Sequence, residues 1–169
     1  MTVPDLLSQI EYLNSQDGTS AAEFGPQKIN ERGVSIDELL AADRQTQHKA
    51  TREIREFYSY GIGWKHCGVE LYWLDPRALA EVYKLPAVAA TIESDISGVF
   101  REQKDVDTSS LVLFAVDDLS SVFQRAYFCF QTNGKEPTIY DCGSEIHEFS
   151  DMEGYLEFWR DALVSSVIS

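Results

Sequence analysis

Two continuous apolar segments in the last third of the chain, residues 111–116 and 126–130, restrict the fold most. Apolar runs this short are typical of strands that are buried on both faces. An Asn133-Gly134 pair and a third strand-like segment follow, and this order predicts a tight hairpin turn. We therefore predict an antiparallel meander. Because proline cannot donate a hydrogen bond to a neighbouring strand, Pro137 leaves two alternatives for the third strand. Either this strand lies at a sheet edge, or it begins at Pro137, ahead of its paired residues.

Helical patterns lie on both sides of this meander. Residues 4–13 predict a short N-terminal helix, and residues 144–149 predict one more strand. The capping-box sequence of residues 150–153 then predicts the start of an amphipathic C-terminal helix. Its apolar side is formed by Tyr155, Leu156, Trp159, Leu163 and Val167.

The segment between the polar N-terminal loop (residues 14–33) and the meander is also predicted to be mainly helical. Residues 35–38 form a second capping box, and apolar positions at helical spacing continue to Tyr58. The polar residues 43–49 leave open whether this is one helix or two. Gly61 and Gly63 are predicted to end it in a turn that needs positive φ.

Between this helix and the meander, residues 69–74 are strand-like. Asp75 and Pro76 then supply a cap and a first helical position for a helix that reaches about residue 84. Residues 85–103 carry a helical pattern, but Pro86 and Gly98 leave their structure open.

Helices segregated from antiparallel strands define an α+β fold. We predict an antiparallel sheet of about four to six strands, flanked by helices and closed by the C-terminal helix. The length of 169 residues fits one domain spanning residues 1–169, in which residues 1–34 are partly loop.

The chain is strongly acidic: 28 Asp and Glu against 14 Lys and Arg give a net charge of −14. Nucleic-acid phosphates and anionic lipids are repelled by such a charge, so we expect neither as a partner. The charge serves solubility, or it steers a basic protein partner whose complementary field speeds association.

The three cysteines, Cys67, Cys129 and Cys142, form no CxxC pair and cannot all be joined in disulfides. This pattern suits a reducing compartment. Residues 1–10 have neither the basic region nor the apolar core of a secretory signal, and the apolar runs are shorter than a membrane span. We therefore expect a cytoplasmic protein.

The histidines are the first candidates for catalysis, but His48, His66 and His147 are too far apart in sequence to form a metal-ligand pair. His66 and Cys67 are neighbours, and adjacent residues of an extended segment point in opposite directions. The glycines at positions 61 and 63 lack the spacing of a phosphate-binding loop. We therefore expect no cofactor, no metal and no catalytic residue.

Asp117 and Asp118 directly follow a buried strand, where acid–base and metal-binding residues often lie. Aspartate is also a favoured turn residue, and a single adjacent pair favours the turn interpretation. The alternative is a small enzyme that uses Asp117 and Asp118, or His66 and Cys67, in a cleft. That alternative predicts side chains that converge in space.

Residues 141–161 contain seven acidic residues and one arginine, which is more charge than helix capping requires. They are either a solvated face or a surface for a basic partner. Trp64, with Tyr58 and Tyr60 nearby, lines a recognition patch or packs in the core. The candidate partner-binding residues are Asp117, Asp118, Asp141, Glu145, Glu148, Glu157, Asp161 and Trp64.

Two parts of the chain resemble the SUKH superfamily. Residues 55–61 lead through a glycine turn into residues 68–76, as a helix leads into a strand in that family. Residues 126–130 and 137–141, followed by residues 155–159, are similar to the family's closing hairpin and terminal helix. The resemblance covers about residues 50–165.

The resemblance implies a protein-binding domain rather than an enzyme. Many bacterial members of the superfamily are immunity proteins that neutralise toxins, often nucleases, and others are regulatory or scaffold interaction modules. An acidic inhibitor of a basic toxin domain is the function that we expect, with the regulatory module as the alternative.

Overall fold

The computed structural model describes residues 1–16, 31–64 and 71–168 and shows an α+β fold. A five-stranded antiparallel sheet has the order β3-β4-β5-β6-β7, and a separate hairpin pairs β1 with β2. The strands are β1 Glu38–Leu40, β2 Gln47–Lys49, β3 Tyr72–Trp73, β4 Leu111–Val116, β5 Arg125–Cys129, β6 Thr138–Cys142 and β7 Ile146–Phe149. The helices are α1 Val3–Gln16, α2 Arg52–Tyr60, α3 Leu79–Val82, α4 Pro86–Asp95 and α5 Met152–Ile168.

Strands β4 and β5 form the centre of the core, as their apolar runs predict. Every residue of β4 is buried, and Val112 pairs with Phe128 in the antiparallel ladder. The rings of Phe114 and Phe128 stack with centroids 4.0 Å apart. The apolar character of both faces thus reflects layers of structure on both sides of the sheet.

The hairpin between β5 and β6 confirms the turn predicted at Asn133-Gly134. Gly134 has φ 72°, a left-handed conformation that glycine adopts at no steric cost. Strand β6 begins at Thr138, directly after Pro137. It is an interior strand between β5 and β7, so the edge alternative is wrong, and the proline lies ahead of the paired residues.

The prediction of a helix from residue 35 onward is wrong for the first half of that segment. Residues 38–49 form the β1–β2 hairpin, and only α2 is helical. The turn is fixed by Asp43, whose carboxylate accepts the backbone N–H groups of Gln45 and Thr46, both at 2.8 Å. Arg44 adopts φ 63° beside it. Local hydrogen bonds from an Asp side chain thus compete successfully with the helix.

Helix α2 ends at Tyr60, and Gly63 has the positive φ expected of the turn that follows, 67°. The same expectation is wrong for Gly61, whose φ of 179° is extended backbone. Asp75 caps the next helical segment as predicted, accepting the N–H of Arg77 at 2.9 Å. That segment begins as a 3-10 turn, Pro76–Ala78, before α3. Of the predicted strand 69–74, residues 69 and 70 lie outside the described residues, as do residues 17–30 of the N-terminal loop.

Residues 85–103 prove to be helical. Pro86 takes the first position of α4, which continues into a π-helix, Ile96–Lys104, that ends where Asp105 adopts φ 50°. Phe100 is fully buried and meets Tyr127 and Tyr140 edge-on, at 5.1 and 5.4 Å between centroids. The π-helical segment thereby covers one face of β5 and β6.

Helix α5 closes the fold as predicted and packs against α1 and α2. Its buried side consists of Met152, Tyr155, Leu156, Trp159 and Leu163. The cap is Asp151, one residue later than the predicted capping box begins, and its carboxylate accepts the N–H of Gly154 at 2.8 Å. None of the helices in the described ranges combines the length and the apolar character that a bilayer crossing needs.

Candidate functional site: a carboxylate cleft beside exposed aromatic rings

Asp117 and Asp118 act as loop-forming residues between β4 and β5. Asp117 Oδ1 accepts the N–H groups of Asp118 and Phe123 at 2.9 and 3.0 Å. Asp118 Oδ1 accepts the N–H and the hydroxyl of Ser120 at 2.8 and 2.7 Å, and these bonds lower the pKa of Asp118. This is the turn role that the sequence favoured.

Trp64 lies in the core and is removed from the candidate site. Its side chain is 4% exposed and stacks on Trp73, with centroids 5.6 Å apart and planes 7° apart. Tyr60 meets it edge-on. The core-packing alternative is therefore correct for Trp64, and a partner cannot reach it without disturbing the fold.

The histidines have separate environments. His48 stacks on Phe130 at 4.4 Å between centroids, and its ring nitrogen bonds to the carbonyl oxygen of Ser109. These contacts indicate a structural role for His48. His66 and Cys67 lie outside the described residues. Within the described ranges, no cluster of His, Cys, Asp and Glu has the arrangement of a metal site.

The acidic residues of segment 141–161 do not all share one environment. Glu148 is half-exposed and pairs with Lys104 at 2.8 Å, and Asp161 pairs with its neighbour Arg160 at 2.8 Å. Glu157 is exposed. Glu145 is 80% exposed, and its Oε2 lies 3.9 Å from His147 Nε2. Asp141, in contrast, is 2% exposed.

Asp141 and Glu145 both line an open cleft of about 100 Å³ at one end of the sheet. Residues before β5, in β6, in the β6–β7 turn and in β7 line it. They are Phe123, Gln124, Asp141, Gly143, Ser144, Glu145 and His147. Asp141 and His147 are cross-strand partners in the β6–β7 ladder, so their side chains lie on the same face of the sheet.

The Asp141 carboxylate is buried but incompletely bonded. Its Oδ1 accepts a long hydrogen bond from the Gln124 side-chain amide, 3.3 Å. Its Oδ2 is closed to solvent and has no partner at hydrogen-bonding distance among the described residues. Burial raises the pKa of Asp141, against the opposing influence of Gln124, His147, Arg125 and Trp159. Asp141 is therefore a charge whose removal from water is only partly compensated.

Arg125, a cation that acts on Asp141, is held by another residue. Arg125 lies nearby in β5, but its guanidinium makes two hydrogen bonds to the buried carboxylate of Asp95, one of them 2.9 Å from Nε to Oδ2. It also donates to the carbonyl oxygen of Phe123 at 2.8 Å. Because Asp95 holds the guanidinium, Asp141 has no ion-pair partner among the described residues.

Aromatic rings surround the cleft at the surface. Phe123 is 62% exposed and forms part of its wall. Phe158 of α5 is 37% exposed and contacts the His147 ring at 5.2 Å between centroids. We call the surface formed by Phe123, Asp141, Glu145, His147 and Phe158 the cleft face. It combines exposed apolar rings with acidic side chains.

Sequence reasoning did not find Phe123, Gln124 or Phe158 as site residues, and it treated His147 as isolated. One signal was present. Asp141 follows Ile139 by two positions in a strand, so a charged residue shares a face with a core residue. The pairing of Asp141 with His147 required the register of the β6–β7 hairpin, which the sequence did not define.

A scan against protein-family models and searches of curated proteins and of solved structures find no match to this chain.

Proposed function

We propose that the chain is an acidic protein-binding domain that acts as an immunity or inhibitor protein and neutralises a basic bacterial toxin, such as a nuclease. The cleft face is the observation that carries the proposal. Exposed Phe123 and Phe158 offer apolar contact area beside Glu145 and the buried Asp141. A basic protein surface is complementary to this arrangement in charge.

The net charge of −14 supports the same conclusion through kinetics. A field of this size raises the rate of encounter with a positively charged partner, and salt weakens the effect by screening. The aromatic rings then supply the contacts that slow dissociation, because buried aromatic anchors dominate binding energies. Charge and rings thus act on different steps of binding.

The test is co-expression with the product of the neighbouring gene, followed by co-purification and a toxicity assay. We expect a tight complex, rescue of growth, and an association rate that falls as salt rises from low to physiological concentration. The substitutions Phe123→Ala and Phe158→Ala should each weaken the complex by about tenfold or more, as for hot-spot rings. Tyr12→Ala, an exposed aromatic on α1, is the matched control.

Two outcomes would contradict the proposal. Failure of any neighbouring product to bind would remove it. Binding to a basic protein that is not toxic would favour the regulatory or scaffold module instead. If Tyr12→Ala weakens the complex as much as the cleft-face variants, the cleft face is not the contact surface.

A further inference from the structure

We propose that strand β7 docks an extended segment of a protein partner, in which basic and apolar side chains alternate and which adds to the sheet as a further strand. The identity of the partner rests on the proposed function, but the mode of binding follows from the sheet. Within residues 1–16, 31–64 and 71–168, no strand pairs with the outer edge of β7. An end strand presents backbone N–H and C=O groups with which an incoming strand pairs.

The opposite end of the sheet is less suited to this role. Strand β3 has two residues, whereas β7 has four. The outer edge of β3 is also occupied by the chain itself, because the Trp73 N–H donates to the carbonyl oxygen of Trp64 at 2.7 Å. Strand β7 is therefore the longer docking edge in the part of the sheet that the structure describes.

The two faces of β7 carry different chemistry. Glu148 pairs with Lys104 at 2.8 Å, so it lies on the face that the π-helical segment covers. His147 and Phe149 lie on the opposite face, where both contact the ring of Phe158 of α5, at 5.2 and 5.4 Å between centroids. An added strand alternates in the same way, so its side chains meet an acidic group on one face and aromatic rings on the other.

The acidic groups at this edge select basic side chains. Glu148 keeps 49% of its side chain exposed beside Lys104, and Glu145, directly ahead of β7, is 80% exposed. A lysine or arginine of the added strand that lies opposite Glu148 forms a cross-strand pair of opposite charge, which stabilises a sheet. The net charge of −14 attracts the same side chains from a distance.

The aromatic rings on the other face select apolar side chains. Phe158 is 37% exposed, and Phe123, 62% exposed, lies in the wall of the cleft that His147 also lines. An apolar side chain of the added strand covers ring surface that otherwise contacts water. Alternating basic and apolar residues are thus the sequence pattern that matches both faces of β7.

The first experiment titrates the isotope-labelled full chain with a blocked octapeptide of alternating lysine and valine and measures amide hydrogen exchange. We expect saturable binding and slower exchange within residues 146–149, with no change at Tyr72 and Trp73 of β3. The same peptide with every backbone nitrogen methylated keeps its charge but cannot donate to a ladder, so it should not bind. A peptide with its lysines and valines in two separate blocks should bind about fivefold more weakly.

Two charge reversals at almost equally exposed positions test the location. Glu145→Lys, at a side chain 80% exposed, should weaken binding of the alternating peptide by about fivefold or more, because it places a like charge beside the added strand. Glu81→Lys on α3, at a side chain 78% exposed, changes the net charge equally and should change binding by less than about twofold. Substitutions at such exposed positions leave the fold intact.

Three results would overturn the proposal: unchanged exchange within residues 146–149 at saturating peptide, equal binding of the methylated peptide, or equal losses in the two lysine variants. Exchange at β7 that slows in the free chain as protein concentration rises would identify a second copy of the chain as the occupant. That result would overturn the proposal as well.

The partner complex separates this inference from the proposed function. If a basic toxin binds without slowing exchange within residues 146–149, strand addition is wrong while the inhibitor function stands. If the alternating peptide protects β7 but no neighbouring gene encodes a toxin that the chain neutralises, strand addition stands and the inhibitor function is wrong.

Discussion

The carboxylate of Glu53 in α2 accepts the backbone N–H of Met152, the first residue of α5, at 2.9 Å across 99 positions of sequence. It also accepts the N–H of Glu153 at 3.4 Å. Glu136, just before β6, bonds in the same way to the start of α2 through the Glu53 N–H at 3.3 Å. Two helix N-termini are thus satisfied by carboxylates from distant segments.

Replacing Glu53 by alanine should therefore destabilise the protein. The substitution leaves the N–H groups of Met152 and Glu153 without their acceptor, and we expect the free energy of unfolding to fall by about 1–3 kcal/mol. Glu53→Gln keeps an acceptor oxygen and removes repulsion by Glu136, so its loss should be smaller. Urea denaturation measures both, with Glu81→Ala at an exposed position of α3 as control. Equal losses in the alanine and glutamine variants would contradict this role.

The pH dependence of stability should change in Asp141→Asn. Burial raises the folded-state pKa of Asp141 above its unfolded value, so the native state binds its proton more strongly. Its contribution to stability is present below the unfolded pKa of about 3.9 and is lost as pH rises through the folded pKa. The free energy of unfolding of the variant should therefore increase relative to the wild type between about pH 3 and pH 7.

Urea titrations at several pH values give this difference directly. Glu53 also has a raised pKa, owing to burial and the charges of Glu136 and Asp151, and the same trend applies to it. Asp37→Asn is the matched control. A parallel pH profile for Asp141→Asn and the wild type would show that Asp141 is not a buried, uncompensated charge.

The buried network of Asp95, Arg125 and Tyr127 should be the most sensitive polar cluster. Tyr127 donates its hydroxyl to Asp95 at 2.6 Å, and the Arg125 side chain is 16% exposed. Asp95→Ala leaves a buried guanidinium without its partner, so a loss of about 3–5 kcal/mol is expected in chemical denaturation. Tyr127→Phe removes one bond and should cost about 1–2 kcal/mol.

Glu93→Ala, an exposed position on the same helix α4, provides the control for this network. Its free energy of unfolding should stay close to that of the wild type. If Asp95→Ala is no more destabilising than Glu93→Ala, the ion pair contributes nothing to the fold.

The thiols of Cys129 and Cys142 should resist alkylation in the native protein. Both are buried, and burial raises the pKa of Cys142 to about 12. Because the thiolate is the reactive form, modification with iodoacetamide near neutral pH should be slower than in urea by about a hundredfold or more. Peptide mass mapping distinguishes the sites. Rapid native labelling of Cys142 would contradict its burial.

The meander was predicted well from the sequence because the signals that define it lie within short, continuous segments. Buried strands β4 and β5 contain continuous apolar runs, and Gly134 supplies the left-handed residue of the turn that follows them. The prediction of a helix over residues 35–49 was wrong because Ser35 to Glu38 matches a capping box. The hydrogen bonds of Asp43, which favour the hairpin turn over the helix, leave no periodic pattern in the sequence.

The candidate site was predicted only in part, since its properties arise from contacts between distant segments. Asp141 and Glu145 were selected for their charge, but only the fold shows that one is buried and the other exposed. The capture of Arg125 by Asp95 joins α4 to β5 and has no sequence pattern. Phe123 belongs to the site because the loop between β4 and β5 ends at the cleft and places Phe123 in its wall.

Strand β7 is an end strand of the sheet, and no other strand of the described residues pairs with its outer edge. It is four residues long and includes His147 and Glu148, with Glu145 just ahead of it. Two identical copies brought together along this strand would place like charges side by side. The negative charge beside the cleft therefore disfavours edge-to-edge pairing of identical copies.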